Sequence, residues 1–241
     1  GHPEPHSRRR TARGLRTGRA WFAEVVRLFL TGMTIALVAA GPVAAASEKP
    51  PPFRAKITTL SSAQRAAMTP AAWRPGCPVG LEDLRRMAVS HWDFAGRRRI
   101  GVIVVHHDAA RAVRAAFRRM YRSRVAIRRM RPIEVYGGSD DRSVAADNTS
   151  AFNCRFVGGT RRWSQHAFGR AIDINPRENP YVIGGRVSDS ASRPFIRRRP
   201  HRTGMATPGG AMVGAFTRQG WGWGGRWRGV KDYQHFSATG R

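Results

Sequence analysis

The chain has 241 residues, with 43 Lys and Arg against 15 Asp and Glu, a formal charge of +28 and only two cysteines. That length gives one medium domain with a proper core plus extensions, and the charge points to a polyanionic setting such as nucleic acid, anionic lipid or an acidic cell wall. Cys77 and Cys154, an even pair, argue against a metal pair or a catalytic thiol and for one disulfide, with two free buried thiols as the alternative.

In chain order, residues 1–27 are arginine-rich, and "LFLTGMTIALVAAGPVAAA" (Leu28 to Ala46) follows without a charge. A basic stretch, an apolar core and a small-residue end make residues 1–46 a secretory signal peptide cleaved before Ser47, with an uncleaved membrane anchor as the alternative. The rest of the chain is still strongly basic, so with an export signal the cell wall is a better partner than nucleic acid. Lysine occurs only at Lys49, Lys56 and Lys231, and so strong an arginine bias reflects genome composition as much as function.

The prolines of "SEKPPPF" make residues 47–60 an extended tether, which leaves 61–241 as the domain. "MAVSHWDF" alternates as a strand, "AGRRR" turns the chain and "IGVIVVHHD" is a β-branched second strand, so the two form a hairpin. In "AARAVRAAFRRMYRSR" the residues Val113, Ala116, Phe117, Met120 and Tyr121 recur at helical spacing, with Asp108 as N-cap. "RPIEVYGG" reads as a short strand and "SDDRSVAADNTSAFNC" as a loop. "RAIDINP" is a strand stopped by Pro176, residues 178–204 are a long irregular excursion, and residues 209–220 form a helix. There are no repeats. The fold class is α+β, a single domain with a small antiparallel sheet and flanking helices.

Chemistry concentrates in "SQHAFGRAIDINP". Strand alternation sets Asp173 on the face opposite Ile172 and Ile174, which fixes its direction. His166 lies across a turn containing Gly169, and His235 in "KDYQHF" supplies a second imidazole. Two imidazoles and one carboxylate are a catalytic zinc set with a fourth position open to water. Asp232, standing beside the metal, would take a proton from that water and pass it to the leaving amine.

"SQHAFGRAID" fits Ser-x-His-x-x-Gly-x-Ala-x-Asp. With the terminal acid-x-x-His, the chain from about residue 76 to 241 resembles the VanY-type zinc D-alanyl-D-alanine carboxypeptidases and the related L-alanyl-D-glutamate endopeptidases. The resemblance implies a hedgehog/DD-peptidase type fold, cleavage of peptidoglycan stem peptides, and His166, Asp173 and His235 as ligands of Zn2+. Carboxypeptidase members have Glu where this chain has Asp232, as the endopeptidase-like branch does, so the bond cleaved stays open. An arginine that polarises the scissile carbonyl is also implied, with Arg155 as first choice and Arg142 as second. Ser164 is expected to hydrogen-bond substrate or brace a ligand, with loop capping as the alternative. Asn175, Asn179 and Tyr181 either line the cleft or form a structural turn.

Other signals carry less. "HHD" (His106 to Asp108) reads as a strand-end polar patch, because adjacent strand residues face opposite sides. His91 reads as a half-buried strand residue, and His201 sits in an arginine-rich loop with no acid near it in sequence. Trp221, Trp223 and Trp227 read as support for the site rather than as a glycan platform. The runs Arg97–Arg99 and Arg197–Arg199 read as solvated faces, with capture of anionic wall polymers as the other use. The reading is therefore an exported, monomeric D-alanyl-D-alanine carboxypeptidase acting on peptidoglycan without a nucleic-acid partner. A non-catalytic wall- or glycan-binding module on the same fold is the alternative from another class.

Overall fold

The computed structural model describes residues 50–241, so the signal peptide expected at residues 1–46 lies outside the described residues. Strand β1 (Ala55–Thr59) comes first and pairs antiparallel with the start of the hairpin, Ala55 opposite Val89. Its place in the sheet corrects the tether reading of residues 47–60 at positions 55–59: "AKITT" has strand composition, and it pairs with β2.

Helix α1 (Ser62–Met68) opens on a capping box, in which the Ser61 hydroxyl accepts from Gln64 N and the Gln64 side chain accepts from Ser61 N. A short 3-10 turn (Leu81–Asp83) leads into β2 (Leu84–Trp92), which pairs antiparallel with β3 (Arg98–His106) in the expected hairpin. Met87 faces Ile103 across the pair, and both are fully buried. Helix α2 (Ala110–Arg122) lays Val113, Ala116, Phe117 and Met120 over that face of the sheet. Leu84 and Val104 belong to a second apolar cluster with Leu60, Met68, Ile133 and Phe152. Asp108 does not cap α2; the N-cap is Ala109, without a side-chain bond. The Asp108 carboxylate is held by His106 and Arg170 instead.

Strand β4 (Arg129–Met130) pairs in parallel with β5 (Asn148–Thr149). Between them, residues 131–138 form a 3-10 turn (Ile133–Tyr136) rather than a strand, ended by Gly137 at φ 63°. The stretch read as loop also contains a helix, α3 (Asp140–Ala145), capped by the Ser139 hydroxyl with two acids in its first turn. Cys77 and Cys154 are bridged.

Strand β6 (Ala171–Asp173) follows as expected, then β7 (Tyr181–Val182), α4 (Ala211–Thr217), β8 (Gly222–Trp223), β9 (Lys231–Asp232) and β10 (His235–Ser237). A three-stranded sheet runs β6-β10-β8, and β7 pairs with β9. Phe216 of α4 stacks on Phe236 of β10 (centroids 4.5 Å) and meets Phe117 of α2 edge-on (6.3 Å), so one core joins the helices to the strand before the chain end. The excursion at 178–204 is irregular but braced. Arg198 donates to the carbonyls of Glu178, Phe195 and Ala206 and to Asn179 Oδ1 at 2.7–2.8 Å, and burial pulls its pKa down to about 10. Within the Arg197–Arg199 run, then, Arg198 is an internal strut and not a solvated charge. His91 is more buried than expected, and burial lowers its pKa to about 4. Among the described residues no helix is long and apolar enough to cross a membrane.

Candidate metal centre

The β6-β10-β8 sheet separates structure from chemistry by strand alternation. Ile172, Phe236 and Trp223 lie in the core, with Phe236 opposite both Ile172 and Trp223. One residue along, Asp173 and His235 are also opposite each other and face a cleft of about 730 Å³. Adjacent antiparallel strands thus bring together two residues 62 positions apart.

His166 comes from a 3-10 turn (Gln165–Phe168) whose Ser164 hydroxyl accepts from His166 N. Ser164 therefore takes the capping role while also lining the cleft. The turn closes at Gly169, φ 64°, where an added Cβ would sit 2.6 Å from His106 N. Only glycine fits that approach and that backbone. The Gly169 carbonyl in turn accepts from His106 N at 2.9 Å, tying the turn to the end of β3.

The three donor groups converge. His166 Nε2 is 3.1 Å from Asp173 Oδ2, His235 Nδ1 is 3.1 Å from Asp173 Oδ1, and the two nitrogens are 3.3 Å apart. A tetrahedral ion with ligands at about 2.0–2.1 Å needs donor separations of about 3.3–3.4 Å, so the triangle is already near the required size. The far nitrogen of each ring is occupied: His166 Nδ1 lies 2.6 Å from Ala151 O, and His235 Nε2 lies 3.3 Å from Arg241 O. Donation of N–H to those carbonyls leaves His166 Nε2 and His235 Nδ1 as lone pairs facing one another. Such an arrangement is favourable only around a cation, whether a proton or a metal ion. Burial would lower the pKa of His166, yet the Asp173 charge outweighs it and the net shift is upward. Burial likewise opposes ionisation of Asp173, but the two imidazoles hold its carboxyl well below the usual range. The residues present fit a divalent ion of the zinc class.

Asp232 borders the same cleft on β9, and its Oδ1 is buried without a partner. Burial, reinforced by the Asp173 charge, pushes its pKa up to about 7. Gly224 packs against it, since an added Cβ would meet Asp232 O at 2.5 Å, so the glycines of "WGWGG" give the acid its close neighbour. Arg155 also lines the cleft. Its Nη2 pairs with Asp140 Oδ2 at 3.0 Å, and its Nε is buried and unpartnered. Arg142, the second choice, lies against Gly137 and is not among the lining residues.

Tyr181 stands on the rim, 45% exposed and opposite Asp232 across the β7–β9 pair. Asn175 does not line the cleft: it is fully buried at φ 47°, accepting from Arg128 N and donating to the carbonyls of Ala126 and Gly204. Asn179 is likewise an internal brace. Trp221 and Trp223 are core, whereas Trp227 lines the cleft with its ring 5.4 Å from that of His235. Among the lining residues that escaped sequence reasoning, Asp140 and Gln234 stand against the charged groups of the site. Asp140, whose pKa burial raises against the pull of Arg155, was hidden in an apparent loop; two acids behind a Ser cap were the available signal. Gln234, whose Nε2 lies 3.5 Å from Asp173 Oδ2, carried none.

A family model described as D-alanyl-D-alanine carboxypeptidase matches residues 158–238, a span that holds His166, Asp173, Asp232 and His235 but stops short of Arg155. No curated protein and no solved structure matches the chain. At this coarse level the match agrees with the resemblance read from the two motifs and supports a peptidase.

Proposed function

We propose that the chain is an exported zinc-dependent peptidase of the cell wall that removes the terminal D-alanine from peptidoglycan stem peptides, on a fold of the hedgehog/DD-peptidase type. The observation that carries this reading is the buried His166–Asp173–His235 triangle, with donors 3.1–3.3 Å apart, opening on a cleft that also holds Asp232. An ion bound there supplies Lewis acidity and an acidified water. The chain does the rest. Asp232, a carboxyl that neither ionises freely nor stays protonated near neutral pH, accepts a proton at its unpartnered oxygen and returns it to the leaving amine. Arg155 donates to the scissile carbonyl oxygen as negative charge grows there, and Asp140 holds the guanidinium from its far side. Ser164 fixes the turn that aims His166, and Tyr181 borders the entrance.

Aspartate at position 232 favours a second reading, cleavage between L-alanine and D-glutamate. Mass spectrometry of muropeptides digested by the zinc-loaded protein separates the two. Loss of one alanine from pentapeptide stems supports the carboxypeptidase, and a cut after the first L-alanine supports the endopeptidase. Zinc bound with no stem peptide cleaved would leave only a wall-binding module.

A further inference from the structure

The described residues contain a second group able to hold a metal, outside the lining of the cleft: Asp83, His106 and His107, each with a donor atom within 4.8 Å of the others. The opposite-faces rule for adjacent strand residues does not apply to this pair. Strand β3 ends at His106 and His107 lies in the following turn, so both rings come to one side with centroids 4.4 Å apart. His107 N donates to Asp83 O at 2.8 Å, which fastens the 3-10 turn of Leu81–Asp83 beside the pair.

The decisive detail is the far side of His106. Its Nδ1 is 2.7 Å from Asp108 Oδ1, and that carboxylate is gripped by the Arg170 guanidinium, with Nε 3.3 Å from Oδ1. The Arg170 guanidinium holds the Asp108 carboxylate in place, so Asp108 accepts from Nδ1–H and leaves the His106 Nε2 lone pair for a metal. Asp83 spends one oxygen on Gly80 N and keeps the other. A carboxylate-oriented imidazole, a neighbouring imidazole and a carboxylate are a donor set for zinc-like ions rather than for magnesium or calcium.

We propose that Asp83, His106 and His107 form a second divalent-metal site of the zinc class, independent of the cleft. It binds more weakly than the buried triangle, because His107 is exposed and only His106 has its far nitrogen held by a carboxylate. Water completes the coordination. A bound ion ties the Leu81–Asp83 turn to the end of β3, whose His106 N carries the Gly169 carbonyl and with it the turn that presents His166.

Metal-free full-length protein dialysed against zinc-buffered solutions, with zinc per chain read by atomic spectroscopy, tests the site without reference to activity. Saturation at two zinc ions per chain is expected, falling to one in His107→Ala and in His106→Ala. His166→Ala should also keep one, and His166→Ala combined with His107→Ala should keep none. His107 is exposed, so its removal leaves the fold intact and decides the matter even if His106→Ala does not fold. One zinc per chain at saturation, lost entirely in His166→Ala, overturns the proposal, as does a second zinc that survives His107→Ala. Failure of the cleft to hydrolyse stem peptides would change none of these counts.

Discussion

Two His/Asp clusters are linked through the backbone bond between His106 and Gly169, and they differ in what surrounds them. In the cleft, both rings have their outer nitrogens fixed by backbone carbonyls and their donors within 3.3 Å. At the end of β3 only His106 has a ring nitrogen held, and His107 is exposed. The same residue types thus make one set oriented by folding and another that an ion must gather. Orientation settled in advance raises affinity, because the ordering cost is met when the chain folds.

The largest effect should come from breaking the preset cluster. His166→Ala leaves Asp173 and His235 without their third partner, and both tight zinc binding and turnover should vanish, by at least about 10³-fold in kcat. Metal analysis and stem-peptide hydrolysis check this together. Next, Asp232→Asn sharpens the contrast by removing an acid that only the cleft possesses. Zinc content should stay at the wild-type level while kcat falls about 10²- to 10⁴-fold; a fully active variant would take the proton-transfer role from Asp232.

Asp140→Asn is expected to act more mildly, about 10- to 100-fold in kcat, because Asp140 works through the Arg155 guanidinium. In an Arg155→Ala background the same change should add nothing, and an additive loss would show that Asp140 acts by another route. The smallest effect belongs to Gly169→Ala at the junction of the two clusters. A left-handed alanine with its Cβ against His106 N should cost about 2 kcal/mol of stability or more, read as a lower Tm. It should also weaken zinc binding at both clusters, whereas substitutions within either one affect that one alone.

How much of this was legible depended on the range of the interactions. The β2–β3 hairpin, α2, α4 and β6 announce themselves by periodicity, and the triangle follows from the two motifs that carry it. Elements set by a single cap or by tertiary contact did not show. Apolar "PIEVY" looks like a strand, but Pro132 ahead and left-handed Gly137 behind it wind it into a 3-10 turn. The prolines before "AKITT" concealed a strand that exists because β2 offers it a partner. Asn175 follows a catalytic-looking strand, yet its amide is spent on three backbone groups of neighbouring loops. Arg198 and Asp140 are the sharpest cases. One arginine among forty and one acid in a polar stretch become a strut and a cleft wall only through partners the sequence does not place beside them.

The Cys77–Cys154 bridge makes the stability of the chain depend on its redox surroundings. Closing a loop across 77 residues of sequence is worth about 4 kcal/mol in chain entropy, a large share of what holds so small a domain together. Cys154 also directly precedes Arg155, and its carbonyl accepts from Arg74 Nη1 at 2.8 Å. A thiol reductant would therefore loosen the peptide that anchors the arginine, which stands outside the His166–Asp173–His235 triangle. On the proposed function, reduction would loosen the grip on Arg155 before it disturbed the His166–Asp173–His235 triangle.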